Sequence, residues 1–281
     1  MIKTKTVLVT LALVFGLAAP AMAADTHSTP HIEKQQWSFA GIFGTYDRNQ
    51  LQRGFQVYRE VCASCHGARL IAFRNLSEED GPGFSEEQVK ALAAEYEVAD
   101  PTVEGGTRAA VPADRWPSPF PTEQDARDAN GGSLPPDFSV LAKARGIVDP
   151  FPNWIFNYFT GYSEGGVDYI RALLLGYHEE APAGFDLPEG KYYNDYFPGH
   201  AIGMAPPLFD EQVVYEVAEG QAEVPLTAEQ YATDVAAFMM WMAEPGLPGR
   251  KETGFRVLLF LFLFAGLLWA TKRRIWAGIE H

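Results

Sequence analysis

Two cysteines and a histidine constrain this chain more than any other feature. The stretch Val61 to Leu70 reads VCASCHGARL, and Cys62 and Cys65 are the only cysteines in 281 residues. A Cys-x-x-Cys pair alone fits a thiol-disulfide oxidoreductase. Here His66 follows directly, and Cys-x-x-Cys-His is the pattern of covalent c-type haem attachment. The spacing has a mechanical reason: two cysteines at the end of a helix can each form a thioether with one haem vinyl group, and the adjacent imidazole can then coordinate the iron. A redox dithiol is expected after a strand and within a βαβ pattern. Instead, the motif closes a run from Asn49 to Val61 that carries Leu51, Phe55, Tyr58 and Cys62 at helical spacing. With no further cysteine the chain cannot form a separate disulfide, so the haem is expected to cross-link the core.

Both ends carry segments that stand apart from the fold. Residues 1–23 begin with Lys3 and Lys5, continue as an apolar run and close on Ala21-Met22-Ala23, the small-x-small pattern of a signal peptide. Phe255 to Thr271 is an apolar run of 17 residues. As a helix it measures about 25 Å, the short end of what crosses a bilayer. Arg256 lies at its edge, and Lys272, Arg273 and Arg274 come directly after it, which predicts a cytoplasmic C-terminus. The expected organisation is a signal peptide (1–23), a periplasmic haem domain (24–249), a membrane anchor (250–271) and a cytoplasmic tail (272–281). Such a protein sits in a bacterial inner membrane as a single-pass protein in contact with lipid.

The charge balance narrows the partners. Against 36 acidic residues the chain has 22 Lys and Arg, a net charge of −14, and loss of the signal peptide removes two lysines and no acid. That excess disfavours nucleic acid and suits a basic protein docking by electrostatic steering. The carboxylates in Ser77 to Glu87 and Glu95 to Glu104 fit such a surface or an ordinary solvated face.

Helices are expected at Asn49–Val61, Ser85–Tyr96, Trp154–Phe159, Gly166–Leu175 and Thr227–Ala243. Ser85 with Gln88 and Thr227 with Gln230 have the spacing of capping boxes, the first two helices read as amphipathic surface helices, and the last carries Tyr231, Val235, Phe238 and Met242 on one stripe. Strand-like alternation is scarce, and the 20 prolines and 26 glycines concentrate in long connections. The fold class is mainly α.

An iron held by His66 needs a second axial ligand. Met1 and Met22 leave with the signal peptide, while Met239, Met240 and Met242 lie on a helix where packing is the expected role. Met204 remains, in the loop YFPGHAIGMAPPL from Tyr196 to Leu208, where Gly203 permits close backbone approach and Pro206-Pro207 stiffens the chain beyond the methionine. His200 in the same loop is the rival, His178 is a weaker one, and His27, His31 and His281 lie in tails.

The ordered fragments RGFQVYREVCASCH, GGSLPPDFS, YFTGY, YFPGHAIGMAPPL, AEP before the anchor and KRRIW after it resemble the cytochrome c1 family, from about Trp37 to Trp276. The Cys-x-x-Cys-His motif occurs throughout class I cytochromes c; the MAPP loop about 140 residues downstream together with a C-terminal anchor is far more restrictive. The resemblance implies a class I cytochrome c-like domain with long irregular insertions, one covalent haem c, and His66 and Met204 as axial ligands. It implies that Arg145, in LAKARG, pairs with a haem propionate, as a charge-assisted contact would allow. It also implies an electron carrier on which no substrate bond is made or broken. Electrons would pass from the Rieske iron–sulfur subunit to a cytochrome c, beside cytochrome b, in a dimeric quinol-cytochrome c oxidoreductase (bc1) complex. Some bacterial members carry an additional cysteine pair that this chain lacks. A haem c subunit of another membrane complex, such as a terminal oxidase, would share the motif and anchor without the ordered fragments.

Overall fold

Two helices cross at the centre of the molecule because a glycine lets them. The computed structural model describes residues 32–145, 152, 157, 165–215 and 223–278. Helix α1 (Arg48–Val57) is capped by Asp47, whose carboxylate accepts from the Gln50 amide, and it buries Leu51, Gly54, Phe55 and Val57. A Cβ on Gly54 would lie 2.1 Å from the carbonyl oxygen of Asp234, so the absence of a side chain sets how close α1 comes to its partner helix, Ala228–Ala243. Across that contact Phe55 and Tyr58 lie 5.7 and 5.8 Å from Phe238, and Trp116 joins Phe55 at 5.7 Å. Each fully buried ring of this kind contributes about 1.5–3 kcal/mol by leaving water. α1 is thus amphipathic as expected, but its apolar face belongs to the core.

The next connections along the chain are short and locally capped. Phe73–Ser77 forms a 3₁₀ turn. α2 (Glu86–Ala93) starts with the expected reciprocal box, Gln88 N–H donating to Ser85 Oγ (3.2 Å) and Ser85 N–H to Gln88 Oε1 (2.8 Å). Strands β1 (Glu97–Ala99) and β2 (Thr107–Ala109) pair antiparallel, Glu97 opposite Ala109. Arg108 clamps this hairpin by donating to Asp100 (2.9 Å) and Asp114 (2.6 Å), which holds the Asp114 carboxyl down at about 2. Helix α3 (Glu123–Ala129) has its own box from Thr122 and Asp125.

Helix α4 (Leu141–Ala144) packs against α5 (Gly165–Leu175) at Gly166, where a Cβ would lie 1.8 Å from the Ala142 carbonyl oxygen. The expected helix at Trp154–Phe159 lies almost wholly outside the described residues, as do residues 1–31. On α5 the buried Asp168 accepts from the Trp37 indole (2.8 Å) and the Gln35 amide (3.1 Å), and desolvation raises its pKa. Two further strands, β3 (Tyr192–Tyr193) and β4 (Ala201–Ile202), pair antiparallel.

Helix α6 (Ala228–Ala243) differs from its sequence reading in two ways. Thr227 accepts from the Gln230 amide as expected, but the Gln230 side chain does not return to the cap: it donates to Asp234 Oδ1 (3.0 Å), a buried carboxylate that also takes Arg53 Nε (2.8 Å) and Tyr215 Oη (3.0 Å). A charged acceptor inside the core outcompetes a neutral cap at the surface. Nor is the apolar surface one stripe. Every residue from Val235 to Met242 is buried, including Met239, Met240 and Met242, because α1, α4 and α5 all pack on this helix.

The last helix, α7 (Leu247–Trp276), runs for 30 residues and is long and apolar enough to cross a membrane, with none of its apolar window buried against the protein. It starts ahead of the expected boundary at 249/250. Leu247 is wholly buried, Lys251 donates to the Phe39 carbonyl, and Glu244 pairs with both Lys143 (2.8 Å) and Arg250. The helix that carries the apolar run therefore begins packed on the rest of the protein.

Candidate haem site

α1 does not end in an ordinary cap. It widens into a π turn over Tyr58–Cys62, closed by the Ala63 amide donating to the Tyr58 carbonyl (2.8 Å). The Cys65 and His66 amides then both donate to the Cys62 carbonyl, at 3.1 and 2.9 Å. This tight fold-back brings both sulfurs and the imidazole onto one short segment at a helix C-terminus. A single π turn inside or at the end of an α-helix is characteristic of functional positions.

The location argues against dithiol chemistry. Reactive thiolates are favoured at helix N-termini or beside cations; here the helix dipole presents its negative end, and burial pushes the Cys62 thiol up to about 12. Both cysteines are free and partly buried.

His66 is 8% exposed, and its ring stacks on Phe138 at 4.3 Å. Its Nδ1 lies 2.8 Å from the Pro136 carbonyl oxygen. A carbonyl can only accept, so Nδ1 carries the proton and Nε2 the lone pair. Burial lowers the imidazole pKa, which keeps the ring neutral. Among the described residues Nε2 has no protein hydrogen-bond partner, and no group of three or more His, Cys, Asp or Glu side chains converges on a metal position. The chain thus offers a single oriented imidazole with two flanking thiols. That donor set fits an iron that arrives inside a porphyrin.

One loop, Gly131 to Ser139, connects this segment to the other candidate ligand. Asp137 accepts from the Arg69 amide (3.0 Å), Ser139 Oγ from the Leu70 amide (3.0 Å), and the Phe138 amide donates to the Gly67 carbonyl (2.8 Å). At its other end Ser133 meets the Met204 segment: a Cβ on Gly203 would lie 2.2 Å from Ser133 Oγ, which also accepts from Lys191 Nζ (2.9 Å). Met204 lies just past β4, is partly buried, and its carbonyl accepts from Tyr177 Oη (3.1 Å). Pro136, Asp137, Phe138, Ser139 and Tyr177 had no chemical signal of their own in the sequence. All except Tyr177 lay in a fragment recognised only by its resemblance.

The rival residues have contacts in their own segments, and the one at His200, like that at His66, leaves Nε2 as the lone-pair nitrogen. His200 has a left-handed backbone (φ 59°), its Nδ1 lies 3.0 Å from the Asn194 carbonyl oxygen, and its ring stacks on Tyr193 at 5.5 Å. His178 Nε2 lies 2.6 Å from Asp195 Oδ2. Arg145 is exposed after α4, and its charge acts on the partly buried Tyr169, whose hydroxyl pKa burial raises. His27, His31 and His281 lie outside the described residues.

A sequence profile of the Cytochrome C1 family matches residues 37–279. The chain belongs to the cytochrome c1 family. Bacterial relatives named cytochrome c1 include one from Blastochloris viridis, 48% identical over 96% of this chain and 95% of that protein. Another, from Rhodospirillum rubrum, is 44% identical over 99% and 98%. A Bradyrhizobium diazoefficiens protein named cytochrome b/c1 is 51% identical over 95% of this chain, which spans only 38% of that relative's length. Membership of the cytochrome c1 family implies a haem c cofactor, for which the donor set around His66 is suited.

Proposed function

We propose that this chain is the membrane-anchored haem c subunit of a cytochrome bc1 complex, accepting single electrons from a Rieske iron–sulfur subunit and passing them to a cytochrome c. The observation that carries this reading is the His66 imidazole, fixed by Pro136 with Nε2 as its lone-pair nitrogen, on the same turn as two thiols. Cys62 and Cys65 would hold the haem through thioethers to its vinyl groups, and His66 Nε2 would ligate its iron. When bound, the haem supplies a one-electron ferric/ferrous couple. Met204 would supply the second ligand to the iron, a reading supported by the Gly131–Ser139 loop that both its segment and the His66 segment contact. Arg145 would pair with a haem propionate. Pro136 and Phe138 orient the imidazole and exclude water from it; Tyr177 and Ser133 hold the Met204 segment.

The partners are argued from chemistry of the same kind. A relative named for both a cytochrome b and c1, over a chain much longer than the match, supports a cytochrome b partner. The exposed carboxylates of Glu78, Glu79, Asp80, Glu86 and Glu87 support docking of a basic cytochrome c. The complex is dimeric, the haem domain periplasmic, and the C-terminus cytoplasmic. The deciding experiment compares Met204→Leu with His200→Ala. Met204→Leu should keep covalent haem on a denaturing gel, lower the midpoint potential and open a carbon monoxide site, because a thioether favours ferrous iron and axial ligands set haem potentials over about 0.8 V. His200→Ala should leave both properties near the parent's. The reverse pattern refutes the assignment.

A further inference from the structure

A tight turn beside the start of α7 carries two large apolar side chains into solvent. Phe43 is 74% exposed and Ile42 50%, although the residues at the base of the turn, Trp37 and Phe39, are buried. The turn is stiff. Gly41 has φ +74°, a Cβ on Gly44 would lie 2.1 Å from the Ala40 carbonyl oxygen, and the Thr45 amide donates to the Ser38 carbonyl (3.1 Å). Tyr46 Oη secures the exit by donating to the Glu244 carbonyl (2.9 Å), and Lys251 secures the entry through the Phe39 carbonyl. From Ser38 to Tyr46 there is no charged residue.

The direction of the tip is set by one contact: the Phe43 ring packs edge-on against Phe255 at 5.3 Å and 69°. Phe255 opens the exposed apolar surface of the span, which continues through Val257, Leu258, Leu259 and Phe260. The Glu252–Arg256 pair lies on the same turns of the helix and marks the polar boundary at that height. We propose that the Gly41–Gly44 turn is a second membrane contact, with Ile42 and Phe43 seated in lipid at the outer edge of the bilayer. The occupant is lipid because the two side chains extend a surface that is itself lipid-facing. Apolar and aromatic side chains placed beside a short span also supply interfacial anchoring that 17 apolar residues provide only in part.

The test uses the full haem-bearing chain, reconstituted without other subunits into phosphatidylcholine vesicles that contain an acyl-chain diazirine phospholipid. After illumination and proteolysis, lipid adducts are expected on the peptide containing Ile42 and Phe43 as well as on the span, which serves as the internal standard. In the same vesicles, a membrane-impermeant maleimide should modify Phe43→Cys at least tenfold more slowly than Val103→Cys, at the β1–β2 connection, with the parent chain as blank. Adducts confined to the span, together with equal labelling rates, overturn the proposal. Labelling of Phe43→Cys that is fast in vesicles and slow only in the assembled complex also overturns it, because the occupant is then a protein subunit.

Discussion

Replacing Gly54 with alanine tests whether the α1–α6 crossing is what holds the motif in place. The added Cβ would lie 2.1 Å from the Asp234 carbonyl oxygen and 2.7 Å from Phe238 Cβ, where ordinary contact begins at 3.4 Å. One obstacle is helix backbone and the other a Cβ bonded directly to it, so neither can rotate away. The helices must separate by about 1 Å, a gap that forfeits a quarter to a half of the dispersion attraction across the contact. Overpacking of this kind costs about 1–3 kcal/mol. It also stretches the bidentate contact between Arg53 and Asp234, now 2.8 and 3.1 Å. Alanine returns about 1 kcal/mol of helix propensity; with the stretched ion pair placing this site at the upper end of the overpacking range, the net loss is about 2 kcal/mol. For a domain of this size that lowers the melting temperature by about 4–8 °C. Thermal unfolding of the haem-loaded protein in detergent, followed by circular dichroism, reads this directly. Gly249→Ala, where a Cβ meets nothing within 4 Å, is the matched control and should be neutral or slightly stabilising. A Gly54→Ala protein as stable as the parent would refute the close-crossing argument.

Asp234→Ala should cost about 3 kcal/mol in denaturant unfolding, because it strands the Arg53 guanidinium, Tyr215 and Gln230 around a buried hole; a loss under about 1 kcal/mol would show that water takes over. Tyr177→Phe removes one hydrogen bond to the Met204 carbonyl and should cost about 1 kcal/mol, with faster carbon monoxide binding to the reduced protein; unchanged binding would leave Tyr177 a packing residue only. Asp114 has a folded-state pKa of about 2, below its ordinary value, so its support of the β1–β2 hairpin is complete above about pH 4 and is lost as pH falls through about 2. A carboxyl carbon titration by NMR should show that midpoint, and Arg108→Gln should return it to the ordinary carboxylate range.

What could be read from the sequence depended on how local the cause was. The Ser85 box and the Thr227 cap involve residues three apart, and both are present. The Gln230 half of the second box failed because its competitor, Asp234, is buried only once α1 delivers Arg53 to it. Likewise the periodicity of α6 marks the face toward α1, but cannot show that α4 and α5 cover the others. At the site, the Cys-x-x-Cys-His spacing carries its own chemistry. The Pro136 carbonyl does not: a backbone acceptor 70 residues away has no sequence signature. The apolar run was recognisable by hydropathy, while the start of its helix at Leu247 depended on a packing partner.

That start has a mechanical consequence. Because α7 leaves the core as an unbroken helix, with Leu247 buried and Glu244 clasped on both sides, there is no slack between the domain and its span. A flexible tether would let the domain swivel freely over the membrane surface. A continuous helix works as a keyed shaft: rotation of the span about its own axis turns the face bearing His66 through the same angle. Any neighbour that packed on Phe255 to Thr271 would therefore set the compass bearing from which electrons arrive and depart, without touching the domain that carries them.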